Sequence, residues 1–185
     1  MAARLTSVTG RVVIVAALVG CASACGPPSG VGQGGPPATP QVTPQASYSA
    51  SMAATVSIID TALAGQGIRV AAPIVPYRPA EPASLAAAAR VILQADVQDP
   101  GAGYVGIYEL RDTASAAARG AEFADYLESG FGQTNYPLDA QFALAQVGST
   151  LVFTWWSIGR STDPALARLA FDTVAGVGQP IPVVK

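Results

Sequence analysis

The composition of the chain breaks near residue 46, and this break decides how much of it can fold. All twelve Asp and Glu residues lie beyond that point. The stretch before it, Gly26 to Ala46, has no charged residue and consists largely of Pro, Gly, Gln, Thr and Ser. Such a segment has too little large apolar surface to offset the entropy of ordering its backbone. It reads as a disordered tether. At ~3.1 Å per residue in an extended polyproline form, it would reach at most roughly 65 Å. Folding is left to residues 47–185, a length suited to one ordinary domain. The chain is 50% apolar and 12% charged, which excludes a wholly disordered protein.

The N-terminal segment has the layout of a secretory signal: basic Arg4 and Arg11, an apolar run from Val12 to Val19, then small residues. A spanning helix needs ~20 apolar residues, and Gly26-Pro27-Pro28 interrupts this run too early. Leu18-Val19-Gly20-Cys21 resembles the lipobox of bacterial lipoproteins. The resemblance implies cleavage after residue 20, diacylglyceryl modification of the Cys21 thiol and acylation of the new N-terminus. Cys25, preceded by Ala22-Ser23-Ala24, is the alternative site. Residues 1–20 are then a signal peptide, 21–46 a lipidated tether and 47–185 one globular domain. Two acyl signals give stable anchoring, so the expected partner is a membrane engaged through lipid, with the domain outside the cytoplasm on a cell or outer membrane. The chain has two cysteines, both in the N-terminal segment, so neither a core disulfide nor a core cysteine nucleophile is available.

Within residues 47–185 the apolar periodicity is helical from Met52 to Ala64, with Val56, Ile58, Ile59, Ala62 and Leu63 in one arc. A short strand follows at Ile68–Ala72. Pro73, Pro76, Pro79 and Pro82 then forbid a central strand and mark a long loop. Residues 90–97 alternate, with Val91, Leu93, Ala95 and Val97 on one face. Asp99-Pro100-Gly101 turns the chain into a second strand at 104–110, apolar on both sides. Asp112 or Thr113 caps the next helix, whose inner arc holds Ala116, Ala117, Gly120, Phe123, Ala124 and Leu127. The pattern then repeats as a strand at 140–147, the turn Gly148-Ser149, a strand at 150–157, and a helix from Asp163-Pro164 to about Ala175. The expected fold is α+β, in the order α-β-(ββα)-(ββα). It is an antiparallel sheet of about 4–5 strands with helices mainly on one face. The run from Arg90 through G-Y-V-G-I-Y-E-L, the Ala-rich helix and G-S-T-L-V-F-T-W-W is similar to small bacterial lipoproteins of uncharacterised activity. It covers about half the chain. It implies the same address and fold and carries over no catalytic residue.

With no histidine, Ser-His-Asp and Cys-His mechanisms and His-ligated metals are excluded. The only lysine is Lys185, so there is no Walker loop, and Gly101-x-Gly103 lacks the rest of a dinucleotide fingerprint. No cofactor or metal motif is present, and a net charge of −2 without a basic patch argues against nucleic acid. Asp96, Glu109, Asp139 and Glu81 could support a carboxylate-dependent hydrolase only if two of them met in one cleft. Otherwise they are surface charges or partners for Arg78, Arg90 or Arg111. The two-residue turn at Gly148-Ser149 sets Gln141 opposite Trp156, Ala143 opposite Thr154 and Phe142 opposite Trp155. Trp155 then joins Phe142, Leu144, Leu151 and Phe153 in the core. Trp156 shares the other face with Gln141 and Thr154. Left free of helices, that face is a candidate surface for an envelope protein or small ligand; covered by a helix or loop, it is core. The sequence therefore reads as a membrane-tethered, non-enzymatic binding or structural module, with the hydrolase as the alternative.

Overall fold

The computed structural model describes residues 48–77 and 80–184, which fall in one compact unit. The expected signal peptide, Cys21, Cys25, the tether and Arg78 lie outside the described residues. The order of elements is α1 (Ala50–Ala64), β1 (Val70–Ala71), a 3-10 turn (Ala83–Leu85), β2 (Ala89–Ala95) and β3 (Gly103–Glu109). There follow α2 (Thr113–Glu128), α3 (Gly130–Gln133), β4 (Ala140–Val147), β5 (Thr150–Ser157), a second 3-10 turn (Ile158–Arg160), α4 (Pro164–Ala175) and β6 (Gln179–Ile181).

The strands form one six-stranded sheet in the order β1-β2-β3-β5-β4-β6, every pairing antiparallel. The α+β class and the repeated hairpin-plus-helix order stand. The sheet is wider than the sequence reading by β6, a three-residue edge strand holding Pro180. An edge position tolerates the missing N–H.

The helices do not gather on one face. α2 covers the side bearing Tyr108, Leu151 and Phe153, whereas α1 and α4 cover the side bearing Val91, Val105, Ile107 and Val152. The cause is in the central strands. Every residue of β5 is buried, and strands apolar on both sides need a cover on both sides. α2 comes close because Gly120 has no side chain: a Cβ there would lie 2.3 Å from Ile181 Cδ1 and 3.0 Å from Leu151 Cδ2.

Polar side chains fix the helix starts. Ser49, Asp112 and Asp163 accept backbone N–H groups at the first turns of α1, α2 and α4, with Pro164 at the opening of α4. The hydroxyls of Ser49 and Ser51 also donate to Glu109, tying the start of α1 to the end of β3. The buried arc of α1 differs from the apolar arc in its sequence. Ile58 is 46% exposed, while Thr55 is 1% exposed. The Thr55 hydroxyl lies 2.9 Å from that of Thr150. It donates to the Ser51 carbonyl at 3.1 Å, so this polar side chain enters the core with its hydrogen bonds made.

Candidate functional site

The β4–β5 hairpin turns through Gly148, whose φ of +58° suits glycine. The resulting register pairs Val147 with Thr150, Phe142 with Trp155 and Gln141 with Trp156. Successive strand residues point to opposite faces, so the two tryptophans at the end of β5 go to opposite sides of the sheet. Each lines a separate cleft.

On the α1/α4 side, Trp156 packs against Phe171 of α4, ring centres 6.3 Å apart, and is 5% exposed. The expectation of a helix-free face is corrected here, because α4 folds back over the end of β5. A cleft of about 470 Å³ remains between them, with Gln141, Asp139, Arg168 and Asp172 among its walls. Gln141 and Trp156 do come together at one cleft. Thr154 does not line it; it is 1% exposed and donates to the Tyr104 carbonyl at 3.1 Å.

The carboxylates singled out in the sequence are separated and engaged. Asp96 holds Arg69 at 3.0 Å and accepts the Arg69 backbone N–H at 3.1 Å. Those bonds, the backbone one foremost, keep Asp96 below the usual carboxylate range. Glu109 is lowered by the Ser49 and Ser51 hydroxyls. Asp139 accepts the Ser157 hydroxyl at 2.8 and 3.0 Å and the Gly159 N–H at 2.6 Å. Asp172 of α4 faces the same cleft and pairs with Arg168 at 3.2 Å.

Glu81 has a different setting. Its side chain is 4% exposed and ion-paired with Arg90. Beside it the Tyr77 and Tyr108 hydroxyls are 2.9 Å apart. Burial, followed by the Tyr77 neighbour, pushes the Tyr108 hydroxyl well above the ordinary tyrosine range. Tyr136 donates to the Ala80 carbonyl at 2.8 Å. These contacts pin the Pro-rich loop to the sheet.

The sequence reading missed the second cleft, about 390 Å³ on the α2 side, with Tyr77, Tyr104, Tyr136, Trp155 and Arg160 among its walls. These residues come from separate loops and strands, so no local spacing marks them. Among the described residues, no cluster of three or more potential ligands could hold a metal ion, and no helix is long and apolar enough to cross a membrane. No protein-family model matches the chain, and no curated protein or solved structure matches it significantly.

Proposed function

We propose that the chain is a lipid-anchored protein of the bacterial cell envelope whose domain binds a ligand without transforming it, through the cleft at Trp156. The address rests on the signal layout and on Leu18-Val19-Gly20-Cys21. The cleft's volume of about 470 Å³ falls within the ~300–1,000 Å³ of small-molecule sites. An aromatic floor with amide and guanidinium groups at the wall suits a sugar, a peptide or a lipid headgroup.

The observation that carries the non-enzymatic reading is the use of Asp139 and Asp172. Acid/base pairs set one carboxyl in apolar surroundings that keep it protonated. Here Asp139 accepts bonds from Ser157 and Gly159, and the Asp172 side chain is 55% exposed and paired with Arg168. The second reading, a carboxylate-dependent envelope hydrolase, draws on the presence of both acids in one cleft.

Intact mass of membrane-extracted protein tests the address: acyl chains on a chain starting at Cys21, absent in Cys21→Ser. Incubation with glycan, peptide and lipid-headgroup fractions of the envelope tests the activity. One fraction should change the tryptophan fluorescence, lose that effect in Gln141→Ala, and keep its mass. A cleavage product abolished by Asp139→Asn or Asp172→Asn would replace this reading with the hydrolase.

A further inference from the structure

We propose that the cleft at Trp155 is a separate binding site, for a small ring-bearing carboxylate. It shares no lining residue with the cleft at Trp156, so the two sites stand or fall independently.

The cleft is built around the indole. Tyr104 and Tyr136 meet Trp155 edge-on, ring centres 5.7 and 5.3 Å away. Tyr77 stands at 81° to Tyr104, 5.4 Å off. The walls are held in place by the Tyr77–Tyr108 hydroxyl contact and the Tyr136 bond to Ala80, as in largely pre-formed ligand sites. Rings set at steep angles to one another offer both faces and edges to a flat, C–H-rich body.

The exposed cation at the cleft then selects the charge. Trp155 is 4% exposed, and its Nε1–H is buried without a hydrogen-bond partner among the described residues. Arg160 stands exposed at the same cleft. Among the described residues, Arg69, Arg90, Arg111, Arg119 and Arg168 each hold a carboxylate, and Arg160 holds none. No Asp or Glu is among the described residues that line the cleft.

A cup of tyrosines and a tryptophan commonly takes a quaternary ammonium ion. In this one a cation would meet Arg160, with no carboxylate among the described residues that line the cleft and with the nearby Glu81 already paired to Arg90. A carboxylate reverses the sign: the planar guanidinium takes it as a fork, while the attached ring lies among the aromatic walls. The ring belongs to a sugar acid or to an aromatic acid, and the chemistry at the carboxylate is the same for both.

The test titrates the full chain with glucuronate and benzoate, with glucose and benzyl alcohol as the neutral counterparts and choline as the cation. The readout is the indole N–H resonances of the two tryptophans, assigned with Trp155→Phe or, should that variant not fold, Trp156→Phe. One acid should move the Trp155 signal with a Kd of ~1 mM or tighter and leave that of Trp156 in place. Its neutral counterpart should bind about tenfold more weakly or worse. Arg160→Gln should lose the same factor without a change in melting temperature. A response to glucuronate alone assigns a sugar acid, and one to benzoate alone an aromatic acid. The proposal is overturned if neither acid moves the Trp155 signal, if choline does, or if Arg160→Gln binds as well as the parent.

Discussion

The two neighbouring tryptophans give the sharpest check on the packing, because both are buried and yet lie on opposite faces of the sheet. Removing a large aromatic side chain from a core costs ~3–5 kcal/mol. Trp155 has two ring partners, Tyr104 at 5.7 Å and Tyr136 at 5.3 Å, and Trp156 has one, Phe171 at 6.3 Å. An aromatic pair adds ~0.5–1.5 kcal/mol beyond area, so Trp155→Ala should cost about 1 kcal/mol more than Trp156→Ala. A domain stability of ~5–15 kcal/mol leaves room for either loss. Urea unfolding followed by circular dichroism measures both. Combining each variant with Phe171→Leu completes the argument. Trp156 and Phe171 should couple by ~0.5–1.5 kcal/mol, whereas Trp155 and Phe171, on opposite faces, should add within ~0.5 kcal/mol. A cost below ~1 kcal/mol for Trp156→Ala, typical of an exposed site, would mean that α4 does not cover the sheet and that the cleft at Trp156 does not exist as described.

Stability should be flat from about pH 5 to 9, since no histidine is present and both cysteines precede the domain. A titration step inside that window in a pH series of melting temperatures refutes this. Above pH ~10 stability should fall, because Tyr108 and Tyr136 have folded-state pKa values raised by burial. Their contribution is whole below the unfolded value and is lost as pH climbs past it. Thr55→Val should cost ~1 kcal/mol for the hydroxyl pair with Thr150, and Thr55→Val with Thr150→Val less than the sum of the singles, read by urea unfolding. Gly103→Ala should cost ~1–3 kcal/mol, since its Cβ would stand 2.6 Å from the backbone carbonyl oxygen of Trp155; an unchanged melting temperature would contradict that close approach.

Much of the scaffold was legible because local rules decide it. Gly148-Ser149 dictated the β4–β5 register down to Gln141 opposite Trp156. Asp163-Pro164 marked the start of α4. The inner arc of α2 holds apart from Ala117, which is exposed. What failed depends on the third dimension. Periodicity shows which stripe of a helix is apolar but not which sheet face receives it, so α4 over Trp156 was open. Thr55 entered the core in place of Ile58 because a hydroxyl partner waited on β5. β6 is too short to show alternation. The tyrosine cleft draws Tyr77 and Tyr136, far apart in sequence, onto one indole. Of the proposed ligand surface, Gln141 with Trp156 could be read from the register, whereas the cleft at Trp155 could not.

Several acids of this chain serve as clasps between distant segments, and that sets how the clefts should respond to acid. Asp99 accepts the backbone N–H and the hydroxyl of Thr162, 63 residues on, and Glu109 holds the start of α1. Asp99 is lowered from 3.8 by the Thr162 backbone bond first and its hydroxyl second. A lowered folded-state pKa stabilises above the unfolded value, and the benefit is lost as pH falls from that value through the lower folded one. The Asp99 clasp joins the β2–β3 turn, next to Gly101 of the Trp155 cleft, to the loop leading into α4, which carries the Trp156 cleft. The central strands are held instead by backbone bonds and apolar packing, which do not titrate here. Hydrogen-exchange protection at Thr162 should therefore decline below pH ~4 while that of Ile107 and Val152 persists. Asp99→Asn should show the same weakening at neutral pH. Uniform loss of protection across Thr162, Ile107 and Val152 would mean that the loops and the sheet open as one unit, and that acid acts on the whole domain rather than on the end that carries the clefts.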